Sequence, residues 1–180
     1  MNKDFFYYDG PEKLPVIFDE IFAEKVGGGI VKNANYDRRP GLAVSADGTC
    51  IKAAILYEAI TSESTTIKVK KGSGFASGEF VASGKKSVAI TAIDTSNADY
   101  DVLTATLGVA VDAGAIVYQA YAASASSAKP VKDPVFVLGT FLPANCGDQL
   151  AKLVNGANVR KETALFPAEI AALMKGIHLL

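Results

Sequence analysis

Thr65-Thr66-Ile67-Lys68-Val69-Lys70 is the stretch that decides the fold class. In an extended chain Ile67 and Val69 fall on one side and Lys68 and Lys70 on the other, the alternation of a half-buried strand. Gly72-Ser73-Gly74 then makes a turn. Working outward, short β-branched runs keep alternating with turn clusters. Ile51 to Glu58 reads as a buried strand, and Gly78 to Ala82 and Lys86 to Ile93 supply further ones. Asp94 to Asp99 is a polar loop, after which Leu103 to Leu107 and Ala115 to Tyr121 resume the pattern around Asp112-Ala113-Gly114. Val135 to Leu142 is another strand, Asn155-Gly156 a hairpin turn, and Val159 to Leu165 the strand after it. Short strands with regular turn punctuation predict a mainly β protein, a β-sandwich or barrel-like domain.

The ends differ from this middle. Residues 1–40 read as an irregular N-terminal arm, with the aromatic cluster Phe5, Phe6, Tyr7 and Tyr8 ahead of the turn Asp9-Gly10-Pro11. Within it, Leu14 to Val26 is expected as a short helix carrying Ile17, Ile21 and Phe22 on one face. Gly27-Gly28-Gly29 stops that helix as a flexible hinge, and Arg38-Arg39-Pro40 closes the segment. Residues 41–121 form the β-rich domain, and residues 122–134 an Ala/Ser/Pro linker or long loop. Residues 135–180 form a C-terminal β segment with a short helix, either separate or part of the same domain. Pro167 opens that helix over Ala168 to Lys175, Glu169 suits its positive end and Gly176 its stop. The apolar ending from Ile177 to Leu180 is expected to be tied down by pairing or burial.

Composition narrows the function classes. With 49% apolar and 21% charged residues, the chain has the means to build a core and is not disordered throughout. A net charge of −1 lacks the concentrated positive field that non-specific nucleic-acid binding needs. The most apolar regions are broken by Asp112, Gln119 and Lys175, so no span of about 20 apolar residues exists for membrane insertion. The start, with Asp4 and Asp9, lacks the pattern of a signal peptide.

Catalysis needs a nucleophile, a base and an orienting group that converge. The single histidine, His178, lies between Ile177 and Leu179, and on a strand it faces away from both, toward solvent or an interface. Cys50 and Cys146 stand apart from each other and from any histidine, which suits reduced, partly buried thiols rather than a zinc site. Gly27-Gly28-Gly29 is followed by Ile30-Val31-Lys32-Asn33, not the Gly-Lys-Ser/Thr of a phosphate loop. Lys68, Lys70 and Lys71 before Gly72-Ser73-Gly74 read as a solvated strand face that guards an edge, with anion binding as the competing role. Asp94, Asn97, Asp99 and Asp101 supply oxygens of the kind calcium takes, but without EF-hand spacing, and the same residues build turns by bonding their own backbone. No residue is therefore assigned a catalytic, cofactor-binding or metal-ligating role, and the expectation is a non-enzymatic protein without cofactor.

The order of segments carries a resemblance. It rests on Ile51-Lys52-Ala53-Ala54, on the run from Ile67 through Gly72-Ser73-Gly74-Phe75, and on Gly78-Glu79-Phe80-Val81. Ala92 to Asp101, Asp112 to Tyr118, Phe166-Pro167-Ala168-Glu169-Ile170 and Met174-Lys175-Gly176-Ile177 continue it. This pattern resembles the head-fibre and capsid-decoration proteins of tailed phages and prophages of gut bacteria, over roughly residues 40 to 180 on a single-domain scale. The resemblance implies a virion structural protein on the outer capsid surface, made in the bacterial cytoplasm, with the major capsid protein as partner and itself as a homotrimer. It implies no catalytic or binding residues. Because a long repetitive shaft is missing, a compact decoration or fibre-base role fits, with residues 1–40 contributing capsid or subunit contacts. The alternative is a host-surface glycan-binding sandwich using Tyr100, Tyr118 and Tyr121 for stacking.

Overall fold

The computed structural model describes residues 16–180. The aromatic cluster at Phe5 to Tyr8 and its turn lie outside the described residues. In chain order the strands are β1 (Phe18–Glu24), β2 (Gly29–Val31), β3 (Ala43–Ser45), β4 (Ala53–Ile55), β5 (Thr66–Lys70), β6 (Phe80–Ser83) and β7 (Lys86–Ala89). They continue with β8 (Ala92–Asp94), β9 (Tyr100–Thr104), β10 (Ile116–Ala120), β11 (Pro134–Leu138), β12 (Gln149–Ala151), β13 (Leu153–Val159) and β14 (Ile177–Leu179). A single turn of helix, α1 (Ala168–Ala171), precedes β14. The fold is mainly β, sandwich-like, with several antiparallel sheets and one short C-terminal helix.

Strand alternation explains how the sheets stack. β5 buries Ile67 and Val69 completely and pairs with β9 from Thr66↔Thr104 to Lys70↔Tyr100, with β8 on the far side of β9. Those side chains meet Val81, Val117 and Leu103 in one core. The neighbours in sequence, Ala82 and Tyr118, point the other way into a second core with Val137, Val154, Phe166 and Ile170. The four-stranded sheet β4-β10-β6-β7 is thus covered on both faces. The same switch recurs in the five-stranded sheet, where β1-β13-β11-β3 carries β14 as a further partner of β13. There Val137 and Val154 face the second core, while Leu138 and Leu153 face a third with Val31, Val44 and Leu142. The two-stranded ribbon β2-β12 lies over that third core.

Several expectations are corrected. Where a helix is expected over Leu14 to Val26, Phe18–Glu24 is instead β1, pairing antiparallel with β13 from Phe18↔Val159 to Glu24↔Val154, while Leu14 and Pro15 lie outside the described residues. Of residues 1–40, the described part from residue 16 onward contributes two paired strands, β1 and β2. Asn155-Gly156 is not a hairpin turn but the middle of β13, and Gly156 is there because a Cβ would stand 2.7 Å from Ala23 Cβ and 2.9 Å from the Phe22 ring. Val159 ends that strand, so no strand runs on to Leu165. The helix predicted over Ala168 to Lys175 is confined to Ala168–Ala171. Glu169 does sit in its first turn, where its carboxylate accepts from Gly84 N at 2.9 Å and ties the helix to the β6–β7 turn.

The Ala/Ser segment is fastened as a loop along β7. Ser87 N donates to Ser124 O at 2.8 Å, Ser124 N to Ser87 O at 2.9 Å, and Ala128 N to Lys85 O at 2.9 Å. The second core draws side chains from both sides of it, Ala82 and Tyr118 before and Val154 and Phe166 after. The apolar ending is held as expected. β14 pairs in parallel with β13, Ala157↔Ile177 to Val159↔Leu179, and Leu180 N donates to Val159 O at 3.0 Å.

Candidate functional site

Most of the polar groups singled out from sequence serve the fold. Asp94 Oδ1 accepts from Ser96 N at 2.8 Å and Asn97 Oδ1 from Asp99 N at 2.8 Å, the side-chain-to-backbone turns that compete with a calcium reading. Lys71 reaches over this loop to the carbonyls of Thr95 and Asn97. Its Nζ also stands 3.0 Å from Asp101 Oδ1, close enough for an ion pair but outside hydrogen-bond alignment. Asp101 is 3% exposed, and its other oxygen accepts from Gly72 N, Ser73 N and Ser73 Oγ at 3.1 to 3.3 Å. Lys71 is therefore a loop clamp, whereas Lys68 stays on the strand face, paired with Glu58 at 3.0 Å and lying over the Tyr100 ring at 5.2 Å.

Gly27 and Gly28 take φ of +75° and +76° in the tight β1–β2 turn, so they are a fixed turn and not a hinge. His178 is exposed on β14 with its ring centroid 6.2 Å from that of Phe22. Among the described residues, no three His, Cys, Asp or Glu side chains gather as a metal-ligating group. No helix among them is long and apolar enough to cross a membrane.

The tyrosines separate. Tyr118 is 2% exposed, with its OH donating to Gly84 O at 3.1 Å, so it belongs to the core and is not a stacking platform. Burial first, and the Glu169 carboxylate second, push its phenol up to about 12. Tyr121 is exposed, while Tyr100 is half-buried against Tyr57 with ring centroids 4.9 Å apart. Tyr57, which the sequence did not single out, is the accessible half of that pair.

Arg38 is the largest fully buried side chain among the described residues. It sits where residues 32–38 cross the segment after β11, with a backbone bridge to Leu142 in both directions at 2.8 and 2.9 Å. Its Nη1 donates to Lys32 O, and its Nη2 to Pro143 O at 2.7 Å and to Cys146 Sγ at 2.9 Å. Cys50 and Cys146 are free thiols, and burial pushes the Cys50 thiol up to about 12 against the opposing pull of Arg38. Arg38 has no carboxylate partner among the described residues, and its Nε has no acceptor.

Arg38 forms part of the wall of a cleft that also takes in Lys32, Tyr36, Lys52, Gln119 and Lys132. Lys52 lies 5.4 Å from the Tyr36 ring centroid and pairs with Glu79 at 2.6 Å. Burial holds the Tyr36 phenol well above its ordinary value, so it stands as an O–H donor, used on Cys50 O at 3.4 Å. At the rim, Asp47 pairs with Lys32 at 3.0 Å and Lys132 at 3.6 Å. The Ser45 hydroxyl, then Lys32 and Thr49, hold the Asp47 carboxyl well below the usual aspartate range.

That shift has a pH consequence. Because the folded-state value is depressed, the stability contributed by the Asp47 turn is complete above about pH 5 and is lost as pH falls below about 4. Asp47→Asn is expected to lower Tm at pH 7 and to flatten the fall in Tm between pH 5 and pH 2. Equal acid slopes for the variant and the parent, by scanning calorimetry, would contradict it.

Comparison with protein-family models, with curated proteins and with solved structures returned no match.

Proposed function

We propose that this chain is a non-enzymatic virion structural protein, decorating the outer capsid surface as a self-associating head-fibre base or decoration protein. The observation that carries the reading is an apolar strip on the β2-β12 ribbon. Ile30 and Leu150 are direct cross-strand partners, and they stay 56% and 64% exposed. Val26, in the turn that leads into β2, is 97% exposed. Antiparallel partners place their side chains on the same face, so Ile30 and Leu150 present one contiguous surface. The ribbon's inner face is already sealed by Val31 and Ala151, and the outer strip therefore adds nothing to the chain's own core. Exposed apolar contiguity of this kind marks contacts with other chains.

Two lysines test it. Ile30→Lys with Leu150→Lys is expected to leave the far-ultraviolet circular dichroism unchanged and to reduce the solution mass from an oligomer to the single chain. An oligomer that survives both substitutions would remove the strip from the interface.

A glycan-binding role is the second reading, favoured by the Tyr57–Tyr100 pair, whose half-exposed rings and adjacent Lys68 form a small stacking surface.

A further inference from the structure

The buried guanidinium of Arg38 is a charge removed from water with no carboxylate among the described residues to balance it. Two backbone carbonyls and a thiol absorb part of its donor capacity, leaving the Nε–H without an acceptor. A charge so placed is stabilised by whatever anion can approach it, since burial weakens screening and strengthens the attraction. The cleft beside it carries further positive charge. Four cations, Lys32, Arg38, Lys52 and Lys132, line it, and among the described residues no Asp or Glu does. From the rim, Asp47 pairs with Lys32 and Lys132 and Glu79 with Lys52, so two acids offset two of the four cations and leave two positive charges in excess. Gln119 adds an amide whose side chain has no partner among the described residues.

We propose that this cleft binds a small oxyanion, a phosphate, sulfate or carboxylate group, whose oxygens meet Lys52 and Lys132 at the mouth and take up the charge of Arg38 at the wall. A planar or tetrahedral oxyanion accepts several charge-assisted hydrogen bonds at once, which is the chemistry this donor set offers. The site lies within one chain and does not depend on the capsid reading.

The test uses the full chain in thermal unfolding at fixed pH and ionic strength. Sodium phosphate and sodium glucuronate are titrated against sodium chloride, with glucose as the neutral control. At ligand concentrations about 100-fold above Kd, Tm is expected to rise by about 5 °C or more. A rise with phosphate alone identifies a free inorganic oxyanion, and a rise with glucuronate but not glucose identifies an acidic sugar. Phosphate also stabilises proteins without binding them, so the paired Lys52→Gln and Lys132→Ala variant is measured alongside. Glu79 keeps the Ala76 N–H as a partner in that variant, at 2.9 Å, and Lys132 is a half-exposed side chain paired with Asp47 at 3.6 Å. Loss of at least tenfold in apparent affinity in the variant supports the site. Equal shifts in variant and parent, or no shift beyond chloride for either anion, overturn it.

Discussion

Arg38→Met is expected to lower the unfolding free energy by about 3 kcal/mol, the sum of two or three charge-assisted hydrogen bonds less the relief of removing a desolvated charge. The side chain is wholly buried and joins its own segment, at Lys32, to the segment after β11, at Pro143 and Cys146. Methionine keeps the unbranched apolar stem but ends short of the guanidinium, and it leaves the carbonyls of Lys32 and Pro143 without their donor. Arg38→Lys recovers only part of the loss, because a single ammonium cannot reproduce a planar fork aimed at several acceptors. Chemical denaturation reads the difference directly. A loss under about 1 kcal/mol would mean that the cost of burying the charge cancels the hydrogen bonds it makes.

Gly176→Ala is the other large effect. Gly176 is not a left-handed helix stop, since it is absent from the residues with positive φ. A Cβ there would stand 2.2 Å from the Asn155 carbonyl oxygen and 3.3 Å from Gly156 Cα, and neither backbone can yield without moving β13. β1 occupies one edge of β13 along its length, so β11 at Leu153 and Val154 and β14 from Ala157 onward share the other. Gly176 passes at the junction, and its carbonyl accepts from Ala157 N at 2.9 Å. Alanine is expected to cost about 3 kcal/mol, in the range of backbone strain joined to a lost strand pairing. Amide exchange at Ile177 to Leu179 would then rise well before the rest of the chain opens. A variant whose β14 amides stay as protected as those of β13 would contradict this.

The strands that announced themselves in the sequence are those whose burial is local and alternating. Ile67 and Val69 in β5 are the clearest, and the turn chemistry of Asp94 and Asn97 was equally readable. The strands that did not are governed by partners far along the chain. In and just before β1, Ile17, Ile21 and Phe22 fit a helical face as well as an extended one, and the choice is made by pairing with β13. Asn155-Gly156 carries a turn signature, but β13 is flanked on both edges, and the glycine serves a close approach of Phe22. Periodicity cannot see either constraint, because both depend on residues more than a hundred positions away. The candidate cleft was hidden for a different reason. Arg38 sits in Arg38-Arg39-Pro40 with the look of a solvated closing segment, and charged residues are rarely buried without a partner. Tyr118 was misplaced by a related difficulty, since a tyrosine on a strand buried on both faces looks the same in sequence as one on an exposed face.

The proposed role rests on self-association, and solution mass by light scattering after size-exclusion chromatography, across a range of concentrations, tests it most directly. The account predicts a stable assembly at three times the 18.8 kDa chain mass, matching the threefold positions that a capsid surface presents. A mass of 18.8 kDa at every concentration would contradict it.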